Sequence, residues 1–303
     1  MSLPAYIVIS PAKDEERHIE ATLESMVAQT RKPVRWVVVD DGSSDRTAEI
    51  VERYARAHCW ISLLRLPRRQ ERHPGSPVIR AFNAGFELAG KEQFDFVVKL
   101  DCDLRIPPTY FEQLVARFEQ DPELGIASGV YAEQEGGVWR TVAMPEYHAA
   151  GACKVVRARC FEEIGGFVVA RGWDTVDEIR ARARGWSTRH FGDLVFEHLR
   201  PEGSARGALY TSRLHGEVYY LTGGGVGFFL CKVAHRLVCG KPMLLAGVML
   251  LAGYLKPLLL GRERLVSVSE ARCYRNMLRR RMWQSLAKSG GRAGMNLNRG
   301  AQA

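Results

Sequence analysis

The chain has 303 residues, 46% hydrophobic and 25% charged, proportions that exclude a disordered, collagen-like or coiled-coil protein. Seven scattered cysteines, odd in number and never in a C-x-x-C pair, argue against a disulfide framework or a structural zinc site. The formal charge of +9 is uneven: residues 1–199 carry 26 Lys+Arg against 30 Asp+Glu, and residues 200–303 carry 17 against 4.

In chain order, Tyr6–Ser10 is a short apolar strand, followed by the polar turn Pro11–Glu16 and a helical pattern over Ile19–Gln29. Arg35–Asp40 is a second strand, ended by Asp41-Gly42-Ser43-Ser44, and Asp45–Ala57 reads as a helix. Ile61–Leu66 is a third strand, Pro77–Ala89 a helix, and Phe94–Leu100 a fourth strand ending in Asp101-Cys102-Asp103. Strand–helix–strand at this spacing calls for a parallel sheet with right-handed crossovers, and ligands in such sheets collect at the carboxyl ends of the strands. A helix follows Pro107, with strands expected over Gly125–Tyr131 and Val138–Ala143. Then come a glycine-rich stretch (Gly151, Gly165, Gly166), the acidic run Asp174–Glu178 and a helix over Asp177–Arg184 closed by Gly185.

Past residue 205 the character changes. Two apolar stretches, Val226–Val238 and Met243–Leu260, precede a basic helix around Ala271–Trp283. The longest uncharged apolar window, Pro242–Leu255, has 14 residues. A bilayer crossing needs about 20. Apolar segments studded with Lys232, Arg236, Lys241, Lys256, Arg262 and Arg264 fit helices lying in an anionic membrane interface, or else a buried helical hairpin. The expected organisation is a catalytic domain over 1–204, a basic helical extension over 205–285 and a disordered tail over 286–303. The opening MSLPAYIVIS has no basic segment leading into an apolar core, so no signal peptide is expected, and the expected location is cytoplasmic, peripheral on the inner membrane face.

Two carboxylates at alternate positions of a strand end, Asp101 and Asp103, are suited to one hard divalent cation, Mg²⁺ or Mn²⁺. Asp40 and Asp41 also follow an apolar strand, at whose end a nucleotide's base or ribose hydroxyls would need acceptors. There is no G-x-x-x-x-G-K-[ST] loop and no G-x-G-x-x-G, which leaves kinase, ATPase and dehydrogenase chemistry without support.

PAKDEE (Pro11–Glu16), VVVDDGSSDRT (Val37–Thr47), AFNAG (Ala81–Gly85) and LDCDLRIPP (Leu100–Pro108) together resemble the successive signatures of family 2 nucleotide-sugar glycosyltransferases. GGF (Gly165–Phe167), Trp173–Glu178 and RxRxRGW (Arg180–Trp186) extend the resemblance over roughly residues 5–200. It implies the glycosyltransferase A-type fold, an α/β protein with a Rossmann-like mixed, mostly parallel sheet. The nucleotide half would span about 1–104 and the acceptor half about 105–204. It further implies an inverting transferase that uses a nucleotide-diphosphate sugar and a divalent cation. Carried over position by position, the resemblance assigns Pro11, Ala12, Lys13, Glu15, Asp40, Asp41, Arg80 and Asp101 to the nucleotide-sugar. Asp101, Asp103 and His198 are its metal ligands, and Asp174 or Asp177 its general base. Two departures stand out: Lys13 replaces the family's usual aromatic, and Trp173 its usual Glu.

The basic extension suggests a lipid-linked saccharide acceptor, with Tyr210–Tyr220 either part of an acceptor wall or a packed helix. Competing readings are a sugar-phosphate nucleotidyltransferase and a nucleic-acid binder. The first wants a glycine-rich first loop, which Pro11–Glu16 lacks. The second wants aromatics interleaved with its basic residues, whereas here they alternate with Leu, Val, Met and Gly, so no nucleic-acid partner is expected.

Overall fold

A computed structural model describes residues 3–67, 77–200, 207–240 and 242–297. The chain divides into two compact units, Met1–Ser204 and Ala205–Ala303.

The first unit is built on one sheet of nine strands. Its nucleotide-side half is formed by β1 (Tyr6–Ala12), β2 (Arg35–Asp40), β3 (Ile61–Arg65) and β4 (Phe96–Leu100), all parallel in the order β3-β2-β1-β4. Helices α1 (Ile19–Val27), α2 (Thr47–Ala57) and α3 (Pro77–Ala89) make the crossovers. Alternation sorts the side chains into two cores. Tyr6, Val8, Trp36, Val38, Phe96 and Val98 pack on one face, while Ile7, Ile9, Val37, Val39 and Val97 pack on the other. That burial on both faces is why these strands read as unbroken apolar runs.

Helix α3 presses onto the second face through Gly85, where an added Cβ would stand 2.6 Å from methyls of both Ile9 and Val39. The chain visits β2 and β3 on one side of β1 and then returns to β4 on the other. A crevice therefore opens beyond the carboxyl ends of β1 and β4, the position where such sheets bind ligands.

The rest of the sheet is mixed. It contains β5 (Leu104–Arg105), β6 (Leu124–Glu135), β7 (Val138–Thr141), β8 (Cys153–Arg157) and β9 (Ser187–His198), in the order β4-β8-β6-β9-β5 with β7 on β6. β8 runs antiparallel to β4 with Lys99 opposite Lys154, and β6 runs parallel to β9 with Glu133 opposite His198. Helices α4 (Tyr110–Gln120), α5 (Ala158–Glu163) and α6 (Trp173–Ala183) complete the unit.

Two features depart from the sequence expectation. β8 and α5 occupy what reads as a glycine-rich connection, and α6 starts at Trp173 rather than Asp177, behind Gly172 at φ 80°.

The second unit contains α7 (Ala208–Leu221), α8 (Val226–Cys239), α9 (Leu245–Leu259) and α10 (Val268–Leu297). Gly216 and Gly253 let α7 and α9 meet backbone to backbone: a Cβ at either would fall about 2 Å from a carbonyl of the other helix. Tyr219, Phe229 and Tyr254 stack beneath this crossing, so the Tyr210–Tyr220 stretch is a packed helix within its unit. Among the described residues no helix is long and apolar enough to cross a membrane. Val226, Leu230, Val238, Val248, Leu258 and Leu259 nonetheless remain exposed. The expected tail over 286–303 coincides with α10 as far as Leu297, and its last six residues lie outside the described ones. Lys241 also lies outside them.

Candidate functional site

The first wall of the crevice is made where β1 and β2 end. Asp40, buried at the last position of β2, accepts a hydrogen bond from the Ser43 backbone N–H at 3.0 Å. Asp41 donates its N–H to the Ala12 carbonyl (2.9 Å). The Lys13 ammonium reaches the carbonyls of Asp41 and Gly42 at 2.8 and 3.4 Å. Lys13 thus clasps the two loops together where the family has an aromatic. Asp14 adopts φ 53°, a conformation that Asn and Asp tolerate best, and its carboxylate accepts from the Ser44 N–H at 2.7 Å. Glu15 N–H donates to Thr47 Oγ1 at 2.8 Å. Pro11–Glu16 and Asp40–Thr47 therefore form one cross-braced ridge with Asp40 at its base. Arg80 lies in the first turn of α3, half-buried.

The second wall follows β4. Lys99, buried, donates to Asp101 Oδ1 at 2.5 Å and to the Gly151 carbonyl at 2.9 Å. Burial raises the Asp101 carboxyl despite Lys99. Asp103, also buried, lies 2.8 Å from the Arg200 guanidinium through Oδ2 and 3.5 Å from His198 Nε2 through Oδ1. Burial works against its charge, but His198 and Arg200 outweigh it and hold the carboxyl below its ordinary value. Arg200 also binds Glu15 Oε1 at 2.7 Å, while among the described residues the buried Glu15 Oε2 has no hydrogen-bond partner. Burial, with Asp103 and Asp101 nearby, raises the Glu15 carboxyl.

Among the described residues no three His, Cys, Asp or Glu side chains form a ready-made metal cluster. A cation nonetheless fits the residues present. Two donors in adjacent positions around one ion at about 2.1 Å stand roughly 3 Å apart. The 3.5 Å gap between Asp103 Oδ1 and His198 Nε2 is long for a hydrogen bond and close to that separation. The carboxylate suits Mg²⁺ or Mn²⁺, and imidazole is a common metal donor. Asp101 has one oxygen committed to Lys99, which leaves the other.

The third wall is the first turn of α6. Asp174 is half-buried there, its carboxylate beside Gly151, whose carbonyl shares Lys99 with Asp101. Trp173 packs on Phe167, with the Lys99 and Lys154 ammoniums 5.4 and 5.2 Å from its ring centre. Asp177 points the other way. Its side chain is fully buried and binds Lys154 Nζ at 2.9 and 3.1 Å. Glu178 lies 2% exposed against Lys154 (3.4 Å), His148 (3.0 Å) and the Ala149 N–H (2.7 Å).

Burial pushes the Asp177 carboxyl up to about 7, against the pull of Lys154. Burial also opposes the Lys154 ammonium, yet Asp177, Glu178 and Asp174 outweigh it and raise its pKa. Of the two expected bases, then, only Asp174 is open to the crevice. Lys99, Lys154, His148, Glu133 and Arg200, which tie the walls together, have no sequence signal of their own.

A family model described as "Glycosyl transferase family 2" matches residues 7–170. The undecaprenyl-phosphate 4-deoxy-4-formamido-L-arabinose transferase of Pseudomonas aeruginosa is 31% identical over 137 residues, 44% of this chain and 37% of the relative. An uncharacterized glycosyltransferase of Escherichia coli, YibD, is 26% identical over 146 residues, 48% of this chain and 40% of the relative. The matched stretch thus spans about two fifths of each relative's own length. Among solved structures, the mannosyltransferase PcManGT of Pyrobaculum calidifontis, in complex with GDP-Man and Mn²⁺, superposes with a TM-score of 0.56. Its identity is 17%, over 97% of this chain and 81% of that one. S. aureus TarS 1–349 with UDP-GlcNAc gives 0.54 at 17% identity, over 89% and 78%. These two likenesses are of fold.

Proposed function

The chain belongs to glycosyl transferase family 2, and on that premise we propose that it moves a sugar from a nucleoside-diphosphate donor to a lipid-linked acceptor with inversion at the anomeric carbon. The observation that carries this reading is the placement of Asp40 and of Asp101 and Asp103 at the carboxyl ends of β2 and β4, the two strands that flank β1, with Asp174 tied to Asp101 through Gly151 and Lys99.

Asp40 and Asp41 hold the base and ribose, and Pro11, Ala12, Lys13 and Glu15 line the nucleotide, with Arg80 near a phosphate. Asp103 and His198, with the free oxygen of Asp101, would hold a divalent cation, which when bound offsets the charge of the diphosphate leaving group. Asp174 takes the proton from the acceptor hydroxyl as its oxygen bonds to the anomeric carbon. The bond from that carbon to the diphosphate oxygen breaks, and its electron pair leaves with the nucleoside diphosphate.

The lipid-linked acceptor is supported by the exposed apolar residues of α8 and α9 beside Arg236, Lys256 and Arg262, a composition fitted to an anionic leaflet on the cytoplasmic side. A relative named for undecaprenyl phosphate points the same way. The test is product analysis with a nucleotide-sugar, Mn²⁺ and an undecaprenyl-phosphate-linked acceptor. Nucleoside diphosphate released in step with glycolipid supports the reading. Pyrophosphate as the product refutes it and favours a nucleotidyltransferase.

A further inference from the structure

We propose that Glu133 is a positioning residue for the cation site: it fixes the tautomer and ring orientation of His198 so that Nε2 faces Asp103. This rests on the reading of Asp103 and His198 as metal ligands. The sheet itself makes the arrangement. Glu133 and His198 are register partners on the parallel pair β6–β9, while Leu104, the residue after Asp103, pairs with His198 from the other side on β5. Strand β9 therefore delivers its last residue between a carboxylate on one neighbour and Asp103 on the other.

Glu133 Oε1 stands 3.1 Å from His198 Nδ1, and Asp103 Oδ1 stands 3.5 Å from Nε2. Glu133 can accept the Nδ1 proton, and Nε2 is then the nitrogen that would offer its lone pair to a cation beside Asp103. The Tyr131 ring meets the imidazole edge-on at 5.6 Å between centres and limits its rotation. Imidazoles that bind metal ions through one nitrogen commonly give the other N–H to a carboxylate, and loss of that partner weakens metal binding about 10–100-fold.

The test is Mn²⁺ binding by the full-length protein, followed by electron paramagnetic resonance, alone and with excess UDP or GDP. Glu133→Leu, Glu133→Gln, Asp103→Ala and His198→Ala are compared. Glu133 is only half-buried, so its variants should keep the wild-type circular dichroism spectrum and unfolding midpoint. The expected result is roughly 10–100-fold weaker Mn²⁺ binding for Glu133→Leu. Glu133→Gln, which still accepts the Nδ1 proton, should recover much of the loss. If Asp103→Ala and His198→Ala abolish binding while Glu133→Leu binds Mn²⁺ as tightly as wild type, the positioning role is wrong and the cation site stands. If all four variants bind Mn²⁺ like wild type, the site itself is misassigned and the positioning role falls with it.

Discussion

Asp174 and Asp177 lie within one turn of α6, and replacing each by asparagine separates chemistry from folding. In the buried network Lys154 carries one positive charge against two carboxylates, Asp177 and Glu178, with His148 at the edge, 24% exposed. One negative charge is in surplus unless a proton is held on Asp177 or His148. Both respond accordingly: burial pushes Asp177 up to about 7, and Glu178 raises His148 against the cost of burial. A group whose pKa is raised on folding stabilises the fold below its unfolded value, and that stability is lost as pH rises through the folded value. For Asp177 the window runs from 3.8 to about 7. The upper bound from this gap is on the order of 4 kcal/mol.

Asparagine in place of Asp177 keeps an oxygen for Lys154 and leaves the ammonium paired with Glu178. Asp177→Asn is therefore expected to approach wild-type stability near pH 3.8 and to exceed it at pH 8, with turnover changed less than about threefold. Asp174→Asn is expected to unfold like wild type and to lose roughly 10²–10⁴ in turnover. Urea unfolding at both pH values, beside initial-rate kinetics, reads out both effects. Loss of turnover in Asp177→Asn but not in Asp174→Asn would make Asp177 the base. A cost of about 3–5 kcal/mol at pH 8, the usual result of breaking a buried pair, would refute the argument from surplus charge.

Asp103→Ala should abolish Mn²⁺-dependent binding of the nucleoside-diphosphate donor in calorimetric titration; unchanged affinity with Mn²⁺ would remove Asp103 from the site. Gly85→Ala should cost about 1–2 kcal/mol, overpacking against Ile9 and Val39 being partly offset by better helix propensity. A lowered unfolding midpoint checks this, at roughly 2–4 °C per kcal/mol, and an unchanged or higher midpoint would contradict the close packing of α3. Leu230→Asp and Leu259→Asp, at positions 55% and 82% exposed, should each weaken binding to anionic vesicles about ten- to hundredfold. Sedimentation with vesicles measures it, and equal binding by variant and wild type would shift the membrane reading to another surface.

The nucleotide-side half of the sheet was legible because its strands are buried on both faces and its helices amphipathic. Arg35–Asp40 and Pro77–Ala89 are found with the expected bounds. β8 was not, because Cys-Lys-Val-Val-Arg carries a lysine in mid-strand, and nothing local reveals that Lys154 is buried against acids more than twenty residues away. The same partnership hid the true start of α6. Asp177 and Glu178 are buried only because the fold places Lys154 and His148 on them. Strand-end aspartates announce themselves through the apolar runs before them. Arg200, Glu133 and Lys99 do not, because their partners come from other segments.

The central claim is that this crevice binds a nucleoside-diphosphate sugar with the help of a divalent cation. The most direct measurement is the thermal unfolding of the full-length protein across a panel of such sugars, with and without Mn²⁺. At least one donor is expected to raise the midpoint in the presence of Mn²⁺ and to have little effect without it, since binding to the folded state alone stabilises it. A midpoint that ignores every donor with Mn²⁺ present, or that responds equally without the cation, would contradict it.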